Sequence, residues 1–570
     1  MFRFSMAAAA ALLLAGCDLP EGAGGSATPA ELDIPEVARG EISEQTMKDV
    51  TRQLSSDEFE GRMPGSAGEE KTVALLIERF EAAGLEPGNN GSWTQKVPLV
   101  EITGRDYAPL TISGSEGEPM ELAFSTDWVG VTYREETETT LEDSELVFVG
   151  YGINAPEKGW NDYAGVDMEG KTAVILINDP DFGTDSLEGD FGGKAMTYYG
   201  RWTYKYEEAA RQGASGAIII HDTEPASYGP AGRKRSAADR DERLGPERSR
   251  PANTGGRRRG FLSTVRSGEE ERVQAGAARP DGFDQLLQRH PDLRVAKCHR
   301  RAAGQRTTRR VCDAYRALGS SGQVYGSARW RRHLQRRRRQ CDRHCTPDGD
   351  DICNGAVDNA TGTAALVALA EAHATAGPAK RSLVFLAVTA EESGLLGADY
   401  YAANPVFPLD RTVGGINMDA FLIAGPSKDV TVVGPGKSQL DSFLNSALRA
   451  DGRVATPNPN PEAGYYYRSD HFAFAKRGVP MLYLDGGEDL IEGGSEAGAT
   501  IAQDYRDNRY HGPKDEYDPE WDWSGVMADL QLFYRIGRML SESTSWPNWN
   551  DGDEFKATRD ETCGAEGAAC

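Results

Sequence analysis

The chain has 570 residues, of which 39% are apolar and 26% charged. That is enough apolar material for several packed domains and too much for a wholly disordered chain. The formal net charge of −25 disfavours a polyanion as partner of the chain as a whole and otherwise suits solubility.

The start, MFRFSMAAAAALLLAGCDLPEG, sets Arg3 before a short apolar run that ends in Leu-Ala-Gly-Cys. The run is too short to span a bilayer, so residues 1–17 read as a signal peptide. Leu14 to Cys17 resembles a bacterial lipobox. Cys17 would then carry the lipid of a periplasm-facing chain held at the inner membrane, with Asp18 as the retention signal. Residues 18–41, rich in Gly, Pro and Ala, read as a flexible tether.

Residues 42–123 open the main domain with a helix pattern, then EFEGRMPGSAGEEKTVALLIERFEAAGLEP. Val73, Leu75, Leu76, Ile77 and Phe80 fall on one face of a second helix, which should end at Gly84. From residue 124 to 228 the pattern changes to strand, strand, helix, strand: LVFVGYGI, GKTAVILINDP and KYEEAARQGASGAIIIHD. Gly213 and Gly216 would let that helix turn tightly into a strand at Ala217 to Ile220. Residues 229–345 are rich in arginine, with Lys234 and Lys297 as the lysines between Gly229 and Cys345, and include RWRRHLQRRRRQ. Such a patch by itself suggests an anionic partner.

Chemistry-bearing residues concentrate in residues 346–546. In RSLVFLAVTAEESGLLG the apolar run Leu383 to Val388 reads as a strand buried on both faces, with Glu391 and Glu392 at its C-terminal end. Ligands bind at that edge in open α/β sheets. Two adjacent carboxylates repel, and a divalent cation compensates them best. ICNGAVDNATGTAALVALAEA puts Asp358 and Asn359 ahead of a helix that begins near Thr361, and GGINMDAF ends a short strand with Asp419. YRSDHFAFAKRGVPMLYL offers Asp470 and His471 before a helix and a strand; RYHGPKDEYD puts His511 and Asp515 on a loop. Oxygen ligands mixed with imidazole suit zinc in an open, catalytic site. No H-E-x-x-H and no G-x-S-x-G occurs, which leaves thermolysin-type and serine-hydrolase sites unsupported.

The order D-N-A-T-G, A-E-E, N-M-D, S-D-H, Y-H-x-P-x-D resembles the M28 family of zinc-dependent exopeptidases, in its bacterial aminopeptidase branch, from about Ile42 to Trp546. The resemblance implies a three-layer α/β/α fold around a mostly parallel sheet. It also implies that residues 124–228 are an inserted, β-rich protease-associated domain. It implies two zinc ions bridged by Asp358, with Glu392, Asp419 and His511 as further ligands and Glu391 as general base. A cis peptide between Asp358 and Asn359 is implied as well. Tyr466 and Asp470 are candidates to line the substrate site, and peptides are the expected substrates.

One ligand of the family, a histidine in a stretch like T-A-H-W-D-H-L-G, is absent upstream of Asp358. The genetic code accounts for it. New codons formed across YRALGSSGQ, Tyr315 to Gln323, from the last two nucleotides of each codon and the first of the next, permit that whole motif. The same shift across Arg309 to Ala314 permits Asp-Glu-Tyr-Val-Met. Residues 229–345 therefore read as a frameshift product, expected to be irregular, rather than as a nucleic-acid site; His333 and His344 are weak substitutes for the missing ligand. The same scaffold carries cyclases, other amidohydrolases and non-catalytic binding proteins, so activity must be argued from the site.

A final helix is expected at Ser524 to Ser541, and residues 547–570 read as a polar, mobile tail. Outside the arginine-rich stretch and Cys17 the cysteines are Cys345, Cys353, Cys563 and Cys570. Pairing Cys345 with Cys353 and Cys563 with Cys570 would close short loops, and the sequence leaves the pairing open.

Overall fold

A computed structural model describes residues 32–114, 118–184, 186–222, 225–226 and 352–564. Cys17, the arginine-rich stretch, His333 and His344 lie outside the described residues.

The main lobe is built on a four-stranded sheet in the spatial order Val454–Pro457, Asp429–Val432, Met481–Gly486, Gly415–Asn417. Val454–Pro457 runs parallel to Asp429–Val432 and Met481–Gly486 parallel to Gly415–Asn417, while Met481–Gly486 meets Asp429–Val432 antiparallel. Alternation along Met481–Gly486 sends Leu482 and Leu484 into the main core and Tyr483 into an aromatic cluster elsewhere. Helices Glu44–Leu54, Gly362–Thr375, Leu440–Asp451 and Ser524–Glu542 supply that core. Helices Leu396–Ala403 and His471–Ala475 pack on each other through Ala398, Ala402 and Ala473. The result is the mixed α/β architecture expected from the sequence.

Local sequence explains these elements. Ser43 and Ser66 cap the first two helices by accepting from Thr46 N and Glu69 N. Helix Gly362–Thr375, GTAALVALAEAHAT, is mostly Ala, Leu and Val, and it is buried on nearly every side.

The second lobe holds a parallel sheet of strands Leu146–Phe148, Thr172–Leu176 and Gly216–Ile220, with helix Trp202–Arg211 between the last two strands. Lys205 is fully buried there and donates to the Asn178 carbonyl at 2.9 Å, while Asp179 accepts from Thr197 N and Oγ1 at 2.8 and 2.9 Å. The loop so fixed carries Tyr198, whose ring meets those of Phe472, Phe555 and Tyr467 at 5.4, 5.9 and 6.3 Å. That aromatic contact seats the second lobe on the main one.

Three expectations are corrected. Leu383 to Val388 is not a strand: no segment among the described residues pairs with it, and Val384 and Leu386 stay 50% and 37% exposed. The end of the tether is not free, since Arg535 donates to the Val37 carbonyl at 2.7 Å and Gln531 exchanges hydrogen bonds with Gly40. The tail is anchored too. Trp549 and Phe555 are 1% and 3% exposed, and Trp549 Nε1 donates to the Gly478 carbonyl at 2.8 Å. Buried Lys437 pairs with Asp553 and Glu554 at 2.7 and 2.9 Å, and a helix follows at Lys556–Gly564. Cys353 and Cys563 are each disulfide-bonded.

Candidate metal centre

Asp358 sits on the turn Ala356–Thr361 that enters helix Gly362–Thr375, and its peptide bond to Asn359 is cis. Asn359 Oδ1 accepts from Gly362 N at 2.9 Å, which starts the helix. Gly355 precedes the turn with φ +52°, where a Cβ would lie 2.2 Å from the Asp358 carbonyl oxygen. Arg62 NH1 donates to the Leu54 and Asn354 carbonyls at 2.5 and 2.6 Å, and NH2 donates to Gly355 at 2.9 Å. Asp515, 2% exposed, holds the other side: its carboxylate accepts from Val357 N and Asp358 N at 2.9 Å each, and from the Tyr505 hydroxyl at 3.2 Å.

Glu391 and Glu392 follow the apolar segment on a tight turn in which Gly394 N and Leu395 N both donate to the Glu391 carbonyl. Thr389, just before them, is tied by a short hydrogen bond to Glu69 of the second helix. His511 stands on a loop with φ +54°, its ring stacked on Tyr510 at 3.8 Å. Its Nε2 lies 3.2 Å from Asp358 Oδ2 and 3.0 Å from Glu392 Oε1.

Asp358, Glu392 and His511 thus offer one ligand atom each, all within 4.8 Å of one another. Burial would lower the His511 pKa, but its hydrogen bonds to Asp358 and Glu392 outweigh that and raise it to about 10. A proton on Nε2 here compensates two carboxylates, and a divalent cation would do the same. The donor set of two carboxylates and one imidazole fits zinc.

Asp419, two residues after strand Gly415–Asn417, is outside that trio but close enough to feel the charges of Asp358 and Glu392. Burial first, and then the charge of Asp358, raise its pKa to about 6. Ser469 Oγ donates to Asp419 Oδ2 at 2.7 Å, and Asn417 Nδ2 donates to Ser469 Oγ at 2.8 Å. Glu391 is likewise outside the trio. Burial, followed by the charges of Glu392, Asp419, Asp470 and Asp358, pushes it up to about 10. Asp470 Oδ1 is buried with no hydrogen-bond partner among the described residues. Burial, with Asp419, Asp399 and Glu392, holds that carboxyl well above its usual range.

Two sequence candidates have a packing role instead. His471 is 1% exposed between Tyr466 and Tyr483, and burial pushes it down to about 3. Tyr466 is 4% exposed within the aromatic cluster, with Lys437 over its ring. Conversely, the roles of Arg62, Ser469 and Asp515 were not legible in the sequence, although all three lie in quoted stretches, because each acts through a contact made only by folding. The nearest signal was the position of Asp515 beside His511 in RYHGPKDEYD.

Residues 341–534 match the model of peptidase family M28, a span that contains Asp358, Glu391, Glu392, Asp419 and His511. Among solved structures the chain is similar to an aminopeptidase from Aneurinibacillus sp. strain AM-1, at 18% identity over 89% of this chain and 95% of that one, with a TM-score of 0.37. It is similar also to a peptidase M28 precursor from Shewanella amazonensis SB2B, at 16% identity over 88% of this chain and 98% of that one, with a TM-score of 0.30. A glutaminyl cyclase from Bacteroides thetaiotaomicron matches at 16% identity over 32% of this chain and 62% of that one, with a TM-score of 0.20. No curated protein matches.

Proposed function

We propose that the chain is the framework of a zinc-dependent aminopeptidase that removes N-terminal residues from peptides. The observation that carries this reading is the meeting of Asp358, Glu392 and His511 around one centre, with Glu391 beside it and outside the ligand set. Asp358, Glu392 and His511 would hold the cation, and Asp419 would complete a second position. Bound zinc, in the pair the family implies, would supply Lewis-acid activation of water and of the scissile carbonyl.

The chain's own residues do the rest. Glu391, ionised once a bound cation offsets the carboxylates that raise its pKa, takes the proton of the attacking water on a carboxylate oxygen and hands it to the leaving amine. The unpartnered Asp470 carboxyl and its acidic neighbours favour the free α-ammonium group of a substrate, which supports exopeptidase over internal cleavage. The second lobe, read as a protease-associated insert, limits access from one side through the Tyr198 contact. Leu14 to Cys17 supports a lipid anchor at Cys17 and a periplasm-facing location.

In this reading the chain lacks one metal ligand, because the shifted frame across residues 315–323 replaces the histidine-bearing motif. The test is to restore the reading frame, express both forms without residues 1–17, and assay leucine p-nitroanilide with and without chelator. Hydrolysis by the restored form that chelation and Glu391→Gln each abolish supports the proposal. Hydrolysis that survives both contradicts it.

A further inference from the structure

Arg468 stands one residue before Ser469, whose hydroxyl binds Asp419. The residue is exposed, and its guanidinium lies over the Tyr465 ring at 5.3 Å. No carboxylate among the described residues pairs with it, although the neighbourhood is rich in them. Nearby cations are already committed: Lys476 to Asp399 at 3.1 Å and Arg509 to Asp504 at 3.4 Å. The Tyr510 hydroxyl, next in sequence to His511, lies within electrostatic reach of both Arg468 and the carboxylates Asp358, Glu392 and Asp419.

A guanidinium resting over an aromatic face can keep N–H groups free to match a carboxylate bidentately. The carboxylates Asp358, Glu391, Glu392, Asp419 and Asp470 would repel an acidic substrate group, and His511 is engaged with two of them, so Arg468 is an exposed cation left to receive one. Asp470, two residues on, offers an unpartnered carboxyl for an ammonium group. Residues two apart have Cα atoms within about 7 Å, the span of an extended dipeptide.

On the peptidase reading above, we infer that Arg468 binds the C-terminal carboxylate of a short peptide whose free amino group faces Asp470, which makes dipeptides the preferred substrate class.

The test uses the zinc-equilibrated full chain carrying Glu391→Gln, so that ligands stay intact, and measures Leu-Gly and Leu-Gly-amide by titration calorimetry. The expected result is Leu-Gly tighter by about tenfold, a preference abolished by Arg468→Ala and partly kept by Arg468→Lys. Leu-Glu-amide separates an acidic side chain from a chain terminus and should bind like Leu-Gly-amide. Equal affinities for Leu-Gly and its amide in the parent chain overturn the assignment while leaving the peptidase reading intact. So does loss of the preference in Lys514→Ala, which removes an exposed cation three residues after His511, instead of in Arg468→Ala. If neither ligand binds, this inference fails, while the peptidase reading is decided separately by hydrolysis in the frame-restored form.

Discussion

The buried carboxylate of Asp515 accepts the backbone N–H of Asp358 at 2.9 Å and thereby fixes the residue that would bridge the metal centre. The same carboxylate takes the N–H of Val357, so one side chain sets two consecutive peptide units of the turn. Asp515→Asn keeps the volume but leaves a buried donor without an acceptor, at about 1–3 kcal/mol. Zinc affinity should fall by roughly 10- to 100-fold, with a lower melting temperature, as measured by competition with a chromophoric chelator.

The adjacent glutamates should separate by readout. Glu392→Gln removes a ligand atom and should weaken zinc binding. Glu391→Gln should leave the metal content unchanged while lowering turnover of the frame-restored enzyme by on the order of 10²–10⁴. Metal analysis and kinetics on the same preparations check both, and identical behaviour of the two variants would deny them different roles.

His373 gives a pH test away from the centre. It is 6% exposed, stacked on Tyr534 at 4.5 Å, and burial, aided by Arg538, pushes it down to about 4. The folded chain therefore sheds this proton at a lower pH than the unfolded chain, whose histidine titrates near 6.5. Its neutral ring is free of cost above that value. As pH falls from 6.5 towards 4 the folded state loses roughly 2–3 kcal/mol relative to His373→Leu. Urea melts of the two chains across that window should converge or cross on acidification.

The anchored tail predicts a stability loss far from the site. Trp549→Ala removes a buried indole and its hydrogen bond to Gly478, and should cost about 3–5 kcal/mol. A tail that contributed nothing would leave the melting curve unchanged.

The meeting of Asp358, Glu392 and His511 was legible in the sequence because each lies on a turn beside a helix, with polar, turn-forming neighbours. Arg62 lies in Phe59 to Gly68, a stretch that resembles F-x-G-R-x-x-G of the family, but its role was not legible, since its partners Asn354 and Gly355 are nearly three hundred residues away. The tail misled for a related reason: Trp549 and Phe555 are two apolar anchors among many charges, and their docking depends on Lys437 and Tyr198 from distant segments. Leu383 to Val388 has the composition of a strand, yet a ladder needs a neighbour, and none among the described residues provides it.

The central claim is that Asp358, Glu392 and His511 form a metal centre. Calorimetric titration of zinc into the metal-free full chain tests it most directly. The account predicts saturable binding that releases protons, strengthens with rising pH as His511 gives up its proton, and drops at least tenfold in Asp358→Asn, Glu392→Gln and His511→Ala. Unchanged affinity in those three variants would contradict it.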